Sequence, residues 1–248
     1  MHRFFVDEEY IKEDTITIIE DNLKHIKNVL RLNIDDEILV CDGNKTEYIC
    51  KIYSIDNKEV KVNIIGKRNS KSEPNIDITL YQGLPKASKM DLIVQKLTEI
   101  GVTRIVPIKT NRCVVKINNN KKEEKKLERW QKIIEGAAKQ SGRGIIPKID
   151  NIIDLDTMVN SFDEDSLTIV PYENEDKKGL KEVLQNFKGN KINIIIGPEG
   201  GFEEEEIRLL KGACGEIVSL GPRILRTETA GMITAGMVLY DLGDLGVI

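Results

Sequence analysis

Hydrophobic and polar residues alternate in short runs over the first seventy residues of the chain. Apolar side chains occupy roughly every second position in four runs, at 15–18, 37–41, 46–52 and 59–64. Turn residues separate the runs, and such alternation is typical of half-buried strands joined by hairpins. One further stretch, 21–32, spaces its apolar residues as one face of a helix. The pattern predicts a small β-barrel that carries one helix.

A tract without apolar side chains, 66–74, follows the barrel pattern and predicts a linker. We therefore expect two domains, 1–72 and 73–248. In the second domain, continuous apolar runs alternate with segments whose apolar residues are spaced as on one face of a helix. The predicted strands are 76–83, 103–109, 167–171, 192–196 and 216–220, and the predicted helices are 89–101, 122–141, 179–187, 203–212 and 229–242. This alternation predicts an α/β domain with a mostly parallel, helix-covered sheet.

Composition narrows the class of protein. The chain has 248 residues, of which 31% are charged and 40% hydrophobic, as in a globular protein. Its apolar runs are much shorter than the roughly 20 residues that cross a bilayer, and acidic residues from position 7 onward argue against a secretory signal. Four scattered cysteines and two histidines favour reduced thiols and no metal site. We expect a cytoplasmic protein.

Positive charge is concentrated in one segment of a chain whose formal net charge is −4. Residues 109–148 carry twelve Lys and Arg against four Glu. Such a patch fits a local contact with a polyanion. The alternative is a solvated helix face, since most charge runs have no other role.

Two loops that follow predicted strands have an unusual composition. The first, 197–202, contains three glycines and a proline and leads into four consecutive glutamates. It matches neither nucleotide-binding glycine motif, and the glutamates would repel a phosphate, so we expect a phosphate-free ligand; a plain strand-to-helix turn is the alternative. The second, 219–230, places Arg226, Thr227 and Glu228 before a helix of small residues. Thr227 and Glu228 are alternatively helix N-caps.

Two further segments hold candidate residues. Pro171 and Tyr172 follow the predicted strand at 167–171, at the edge where a parallel sheet binds its ligands. Arg143 stands between two glycines after the predicted helix at 122–141. An exposed loop arginine there would contact a phosphate or a base, and a cation at the helix C-terminus is the alternative.

The segments 195–202, Ile-Ile-Gly-Pro-Glu-Gly-Gly-Phe, and 220–230, Leu-Gly-Pro-Arg-Ile-Leu-Arg-Thr-Glu-Thr-Ala, resemble the signature loops of the small-subunit ribosomal RNA uridine N3-methyltransferases. These enzymes belong to the SPOUT class of trefoil-knotted methyltransferases. The similarity covers essentially the whole chain, with further matches at 1–5, at His25 with 29–31, at 95–102, and at Arg129 and Trp130 with 138–143. Ile100 and Lys139 depart from the usual family residues, which affects a rim contact at most.

The resemblance implies a PUA-like RNA-binding β-barrel at 1–72 and a SPOUT-type knotted α/β methyltransferase domain at 73–248. It implies S-adenosylmethionine as the cofactor, 16S ribosomal RNA of the small subunit as the substrate, and a homodimer that shares its active site. The cofactor-binding residues expected on the loops are Pro171, Tyr172, Gly197, Pro198, Glu199, Gly200, Gly201, Leu220, Gly221, Ile224, Leu225, Arg226 and Thr227. The RNA-binding residues expected are Arg3, Arg31, Arg112, Lys121, Lys122, Gln140 and Arg143.

The expected reaction is attack of uridine N3 on the methyl group of the sulfonium, for which a nearby cation would stabilise the developing anion. Arg143 is the first candidate for that cation and Arg226 the second, and Glu228 is a possible base. The helix at 229–242 is expected to pack against its copy through Ala230, Gly231, Ala235 and Gly236. The rival hypotheses are a non-catalytic RNA-binding assembly factor and a methyltransferase for tRNA or for another RNA atom.

Overall fold

The computed structural model describes residues 1–114 and 120–247. Its contacts divide the chain into two units: Met1–Glu73 with Ala138–Ile146, and Pro74–Ala137 with Pro147–Ile248. The segment Ala138–Ile146, which the expected boundary assigns to the second domain, belongs to the first unit. Residues 115–119 of the basic segment, including Lys116, lie outside the described residues.

The first unit is built on an antiparallel sheet with one parallel edge. Its strands are β1 (His2–Phe5), β2 (Thr15–Ile18), β3 (Glu37–Cys41), β4 (Thr46–Ile55) and β5 (Val60–Asn69). Within the described residues their order is β1-β3-β4-β5-β2, and the β1–β3 pair is the parallel one. The alternating pattern predicted β2 to β5 because every second side chain enters the core, whereas β1 was not predicted. That core contains Phe4, Val6, Ile16, Ile18, Leu23, Ile26, Ile38, Val40, Tyr48, Cys50, Ile52, Val60 and Val62.

The predicted helix at 21–32 is divided in two. Helix α1 (Glu20–Lys24) continues as a π-helical stretch, His25–Leu30, and Arg31 ends it in the left-handed region with φ 53°. The wider turn keeps Ile26 in the core, whereas Val29 is exposed. Sequence spacing does not distinguish an α turn from a π turn, so the prediction is correct in position only.

The predicted linker is wrong over its first half. Residues 66–69 complete β5 and pair with Thr46–Ile49 of β4. The pairing is supported by polar side chains, because Arg68 Nε donates to Glu47 at 2.8 Å and Lys67 Nζ lies 5.3 Å from the centre of the Tyr48 ring. The absence of apolar residues therefore reflects a solvated strand end rather than a linker.

The second unit contains a sheet whose pairings are all parallel. Its strands are β6 (Asp77–Gly83), β7 (Arg104–Lys109), β8 (Lys148–Ile149), β9 (Ile153–Asp154), β10 (Leu167–Pro171), β11 (Lys191–Ile196) and β12 (Gly215–Val218). In the described part of the chain the order is β12-β10-β11-β6-β7-β8, and β9 also pairs with β7. The loops after β6, β10, β11 and β12 consequently meet at one edge of the sheet.

Helices lie between these strands and after β12. They are α2 (Lys89–Ile100), α3 (Asn120–Ser141), α4 (Leu155–Val159), α5 (Leu180–Asn186), α6 (Glu204–Gly212) and α7 (Thr227–Asp241). Of these, α2, α3, α5, α6 and α7 correspond to predicted helices, whereas α4 and the short strands β8 and β9 were not predicted. Helix α2 ends where the sequence indicates, because Gly101 adopts φ 128° and its N–H donates to the carbonyl of Leu97. No helix of the described residues is long and apolar enough to cross a membrane.

Helix α7 packs on α2, β6 and β11 through its small residues. Ala235 is fully buried, and a Cβ on Gly231 would lie 3.7 Å from both Gln82 and Leu97. The expectation that Gly231 and Ala235 face a second subunit is therefore wrong, since both face the core of their own chain. The exposed face of α7 carries Ile233 and Met237.

Candidate functional site

The carboxyl ends of β10, β11 and β12 enclose a cavity of about 860 Å³. Adjacent parallel strands bring the three loops that follow them to one place. The cavity is lined by Lys89, Pro171, Tyr172, Glu173, Glu175, Asp176, Ile196, Gly197, Pro198, Glu199, Gly201, Phe202, Ser219, Leu220, Gly221, Pro222, Arg223, Ile224, Leu225, Arg226, Thr227 and Ala230. All the residues expected to bind a cofactor are among them except Gly200.

The loop after β11 is held by direct backbone contact with the end of β6. A Cβ on Gly83 would lie 2.6 Å from the backbone nitrogen of Pro198 and 2.9 Å from the carbonyl carbon of Gly197. Thr227 adds a second restraint, because its hydroxyl donates to the Gly197 carbonyl at 2.6 Å and accepts from Gln82 Nε2 at 2.9 Å. Strand β6 and helix α7 thus fix the shape of this cavity wall.

Gly200 lies on the other side of that loop. Its carbonyl accepts a hydrogen bond from Arg112 Nη1 at 2.9 Å, and a Cβ there would lie 3.0 Å from Arg112 Cβ. Its neighbour Gly201 lines the cavity with φ 66°, and a Cβ on it would lie 2.5 Å from Glu173 Oε1. Of the two glycines expected at the site, Gly201 lines the cavity, whereas the assignment of Gly200 to the cavity wall is corrected, because Gly200 faces Arg112 instead.

The glutamates at the start of α6 have a structural function. Glu206 is buried, and its carboxylate accepts from the backbone N–H groups of Glu203 and Asn111, both at 2.8 Å. Glu203 in turn accepts from Asn111 Nδ2 at 2.9 Å. These bonds satisfy otherwise free N–H groups at the helix start and tie α6 to the loop after β7.

Lys89 links three elements at the edge of the cavity. Its Nζ lies 3.0 Å from Glu199 Oε1 and 3.3 Å from Glu228 Oε2. Glu199 also accepts from the backbone N–H of Lys86 at 3.1 Å. Hydrogen bonding to Glu199, and then to Glu228, raises the pKa of Lys89 above its ordinary value. Burial alone would raise the pKa of Glu199, but the hydrogen bonds from Lys89 and from backbone N–H groups outweigh it and lower that pKa.

Arg226 occupies the N-cap position of α7, so the alternative that Thr227 or Glu228 caps this helix is wrong. Its side chain makes no hydrogen bond to the helix N-terminus. Arg226 is exposed, and no carboxylate of the described residues pairs with it. It is therefore a cavity-lining cation whose charge is open to a ligand.

Arg143 is not an exposed loop residue. Its side chain is 3% exposed and its Nη2 donates to Glu73 Oε2 at 2.7 Å. The same carboxylate accepts from the backbone N–H groups of Gly144 at 2.7 Å and Ile145 at 3.2 Å. The expectation of a mobile, ligand-facing guanidinium at this position is corrected, because the buried Glu73 requires a buried cation as its partner.

The other residues expected to contact RNA differ in exposure. Arg3 is engaged within the first unit, where its Nη1 lies 2.8 Å from Glu47 Oε1 and donates to the Arg143 carbonyl at 2.9 Å. The remaining ones are exposed, namely Arg31, Arg112, Lys121, Lys122 and Gln140. Exposure leaves these five accessible to a partner, whereas Arg3 has an internal role.

Gln82 Oε1 is buried and makes no hydrogen bond within the described residues, whereas the buried Glu228 Oε2 is paired with Lys89 Nζ at 3.3 Å. Neither Ile224 nor Leu225 donates its backbone N–H to any described acceptor. Unpaired donors and acceptors beside a cavity suit a ligand that carries both kinds of group. No cluster of three or more His, Cys, Asp or Glu that could hold a metal occurs among the residues described.

The sequence matches the family model "RNA methyltransferase domain" over residues 71–239, and the model "RNA methyltransferase PUA domain" over 18–65. It is 34% identical to ribosomal RNA small subunit methyltransferase E of Bacillus subtilis, with 97% of each chain covered. The chain belongs to this RNA methyltransferase family. A crystal structure of the Neisseria gonorrhoeae member, bound to S-adenosyl methionine, covers 98% of this chain and 99% of its own at 30% identity and TM-score 0.88. A methyltransferase from Legionella pneumophila, solved with bound cofactor SAM, gives 33% identity, 98% coverage of both chains and TM-score 0.85.

Membership of the methyltransferase family agrees with the resemblance seen in the two signature loops, but three residues at the site were not predicted. Gly83 and Gln82 end a buried strand, and Lys89 begins a helix whose pattern indicates only packing. For Gly83 a signal exists, since a glycine at the end of an apolar strand often marks close backbone approach. Nothing in the spacing points to Lys89.

Proposed function

We propose that this chain transfers a methyl group from S-adenosylmethionine to N3 of a uridine in the 16S ribosomal RNA of the small subunit. The observation that carries the proposal is the cavity of about 860 Å³ between the loops after β10, β11 and β12, in a member of an RNA methyltransferase family. The volume is within the range of small-molecule and cofactor sites, roughly 300–1,000 Å³.

The cavity residues fit this cofactor. S-adenosylmethionine has no phosphate, so the acidic side chains Glu173, Glu175 and Asp176 on the lining create no conflict. The unpaired backbone N–H groups of Ile224 and Leu225 are suited to a base edge. When bound, the cofactor supplies an activated methyl group.

Arg226 is the residue proposed to assist the uridine. N3 must lose its proton before or during attack, and a cation beside the base stabilises the resulting anion. Arg226 lines the cavity and is exposed, whereas Arg143 is enclosed with Glu73. Glu228 is the candidate base because its Oε2 is buried, 3.3 Å from Lys89 Nζ, and because the residue follows the cavity-lining Thr227 in the chain.

Arg226→Ala should lower the single-turnover methylation rate at saturating cofactor and RNA. The expected loss is about 10²-fold or more, as for removal of a group that stabilises developing charge. Arg223→Ala is the matched control, an exposed arginine of the same loop, and it should retain a rate within a few fold of the wild type. Equal losses for both variants would assign the effect to general cavity charge instead.

We also propose a homodimer, formed through the exposed apolar face of α7, and action in the cytoplasm, where ribosomal subunits are assembled. Ile233, Met237 and Tyr240 are 44%, 40% and 74% exposed and follow one another at helical spacing. Exposed apolar groups that repeat along one face of a helix mark an interaction surface.

The direct test uses 16S RNA and 30S subunits from a strain in which the chromosomal gene is deleted, incubated with the purified protein and isotope-labelled donor. Nucleoside mass spectrometry should then find N3-methyluridine. A 2′-O-methyl or C5-methyl product would replace the assigned atom, and methylation of tRNA alone would replace the substrate. Absence of both product and S-adenosylmethionine binding would favour a non-catalytic RNA-binding factor.

A further inference from the structure

Helix α3 presents a regular row of positive side chains to solvent. Lys122, Lys125, Arg129 and Lys132 are all exposed and follow one another at intervals of three, four and three residues. That spacing keeps them on one face of an α-helix. Exposed Gly136, four residues further, continues the row, and a Cβ there would meet nothing within 4 Å. We call this row, from Lys122 to Gly136, the α3 stripe.

The stripe was not evident from the basic segment alone. Lys126 belongs to the same charge run but is partly buried and lies about 100° around the helix from Lys125. Conversely, Arg129 and Lys132 are separated from the lysine pairs in sequence, yet the helix aligns them with Lys122 and Lys125. The stripe is about 21 Å long, from a rise of roughly 1.5 Å per residue.

A shallow groove coincides with the stripe. It is lined by Lys125, Arg129 and Lys132 together with Glu128 and Ile133. No carboxylate of the described residues pairs with Lys122, Lys125 or Lys132. Arg129 contacts Asp91 of α2, which also accepts from Trp130 Nε1 at 3.2 Å, so the middle of the stripe is anchored to the unit. Three unneutralised ammonium groups therefore face solvent in a chain of net charge −4.

We propose that the α3 stripe binds the phosphate backbone of the substrate RNA, an inference that rests on the proposed function for the identity of the polyanion. The stripe offers charge but no surface for base stacking, because Trp130 is the aromatic residue of α3 and is 6% exposed. Contacts from lysine and arginine to phosphates position an RNA without reading its bases. The stripe thus contributes affinity independent of sequence, and recognition of the uridine belongs to the cavity.

The test compares two variants of equal charge change. The stripe variant replaces Lys122, Lys125, Arg129 and Lys132 with Gln. The control variant replaces four exposed or partly exposed lysines that lie off the stripe, Lys126, Lys181, Lys188 and Lys211, with Gln. A third variant keeps Arg129 and neutralises the three lysines, which separates loss of charge from loss of the contact with Asp91. Circular dichroism and S-adenosylmethionine affinity verify the fold of each.

Binding of a 16S RNA fragment and of a scrambled RNA of equal length is measured against salt concentration. At 0.1 M salt the stripe variant should bind both RNAs about tenfold or more weakly. The slope of log affinity against log salt concentration should become shallower by roughly 3, because each lost phosphate contact removes about 0.7–0.9. In methylation assays the KM for RNA should rise while the rate at saturation stays near that of the wild type. In the control variant, the loss of RNA affinity and the fall in the salt slope should each be less than half of those in the stripe variant.

Equal weakening by the stripe and control variants would overturn the proposal, because net charge alone would then explain the loss. The proposal would also be overturned if a poly-glutamate peptide competed for the stripe as effectively as RNA of equal charge. That result would indicate an acidic protein partner. A protein that binds RNA through the stripe but yields no methylated nucleoside would sink the proposed function and leave the stripe intact.

Discussion

Gly83 ends β6 at a point where the chain leaves no room for a side chain. The atoms that a Cβ would meet belong to the backbone of Gly197 and Pro198, which cannot rotate away as a side chain can. The absence of a side chain at Gly83 therefore sets the position of the loop at 197–201, a cavity wall more than a hundred residues away in the sequence. Gly83 is not among the described residues that line the cavity, so it affects the shape of the site by supporting the loop that forms the wall.

Gly83→Ala should displace the loop at 197–201 and weaken S-adenosylmethionine binding about tenfold or more, since nearest contacts of 2.6–2.9 Å force the loop to move. Isothermal titration calorimetry measures the loss. Gly212→Ala, at a helical position where a Cβ meets nothing within 4 Å, is the control and should bind normally. Unchanged affinity in Gly83→Ala would show that the loop adapts and that its resting position does not define the site.

Arg143 and Glu73 form the other residue-scale feature, a buried ion pair with three further donors to one carboxylate. Arg143→Ala should lower the free energy of unfolding by about 3–5 kcal/mol, because it leaves a buried carboxylate without its cation. Urea denaturation followed by circular dichroism measures this. The double variant Arg143→Gln/Glu73→Gln removes both charges and should be less destabilised. A fully stable Arg143→Ala with a specific loss of methylation rate would return Arg143 to a role in catalysis.

At the scale of elements, strands and helices with strong periodicity were predictable from the sequence. Strand Leu167–Pro171 agrees at both ends, and α6 begins at Glu204 instead of 203. The misses have local causes. The end of β5 is held by polar cross-strand contacts that hydrophobic patterning ignores, and α1 changes to a π turn that 3.6-residue periodicity does not register.

The candidate site was predictable to the extent that it lies on loops of unusual composition. Both glycine-rich loops reach the cavity, because parallel strands deliver their carboxyl ends to one edge. What sequence could not provide is the direction of single residues within a loop, as Gly200 and Arg143 demonstrate. The Lys89 contacts to Glu199 and Glu228 join residues far apart in the chain, and no local pattern encodes such pairing.

The Lys89 contacts connect α2, α7 and the loop after β11, and they make stability dependent on pH. The pKa of Glu199 is lowered in the folded protein. Its stabilising contribution is therefore complete above the ordinary glutamate pKa, about 4.3, and is lost as the pH falls through the lower folded value. Thermal unfolding of the wild type should show a steeper loss of stability below pH 5 than that of Glu199→Gln. Parallel curves in acid would show that this carboxylate does not contribute.

At the scale of the whole molecule, the buried and exposed faces of α7 have separate tasks. Ala235, Val238 and Leu239 are fully buried within the chain, whereas Ile233, Met237 and Tyr240 are exposed. An α-helix with apolar residues on both faces needs a second apolar partner, since exposed apolar area costs about 25 cal/mol per Å². Leu92 of α2, the helix that packs against α7, is also 43% exposed. A second copy of the chain is the partner that the family resemblance implies.

Met237→Glu is the change that separates association from folding. A glutamate in the centre of a dimer contact would be desolvated without a cation, which should raise the dimer dissociation constant about a hundredfold, or nearly 3 kcal/mol, while the protomer keeps its circular dichroism spectrum. Light scattering at micromolar concentration should find a dimeric wild type and a monomeric variant. Leu209→Glu, at a 36% exposed position on α6, is the control and should stay dimeric. Ala235→Arg should instead unfold the protomer, because Ala235 has no exposed surface. A wild type that is monomeric under these conditions would remove the homodimer from the proposal and require each chain to complete its own active site.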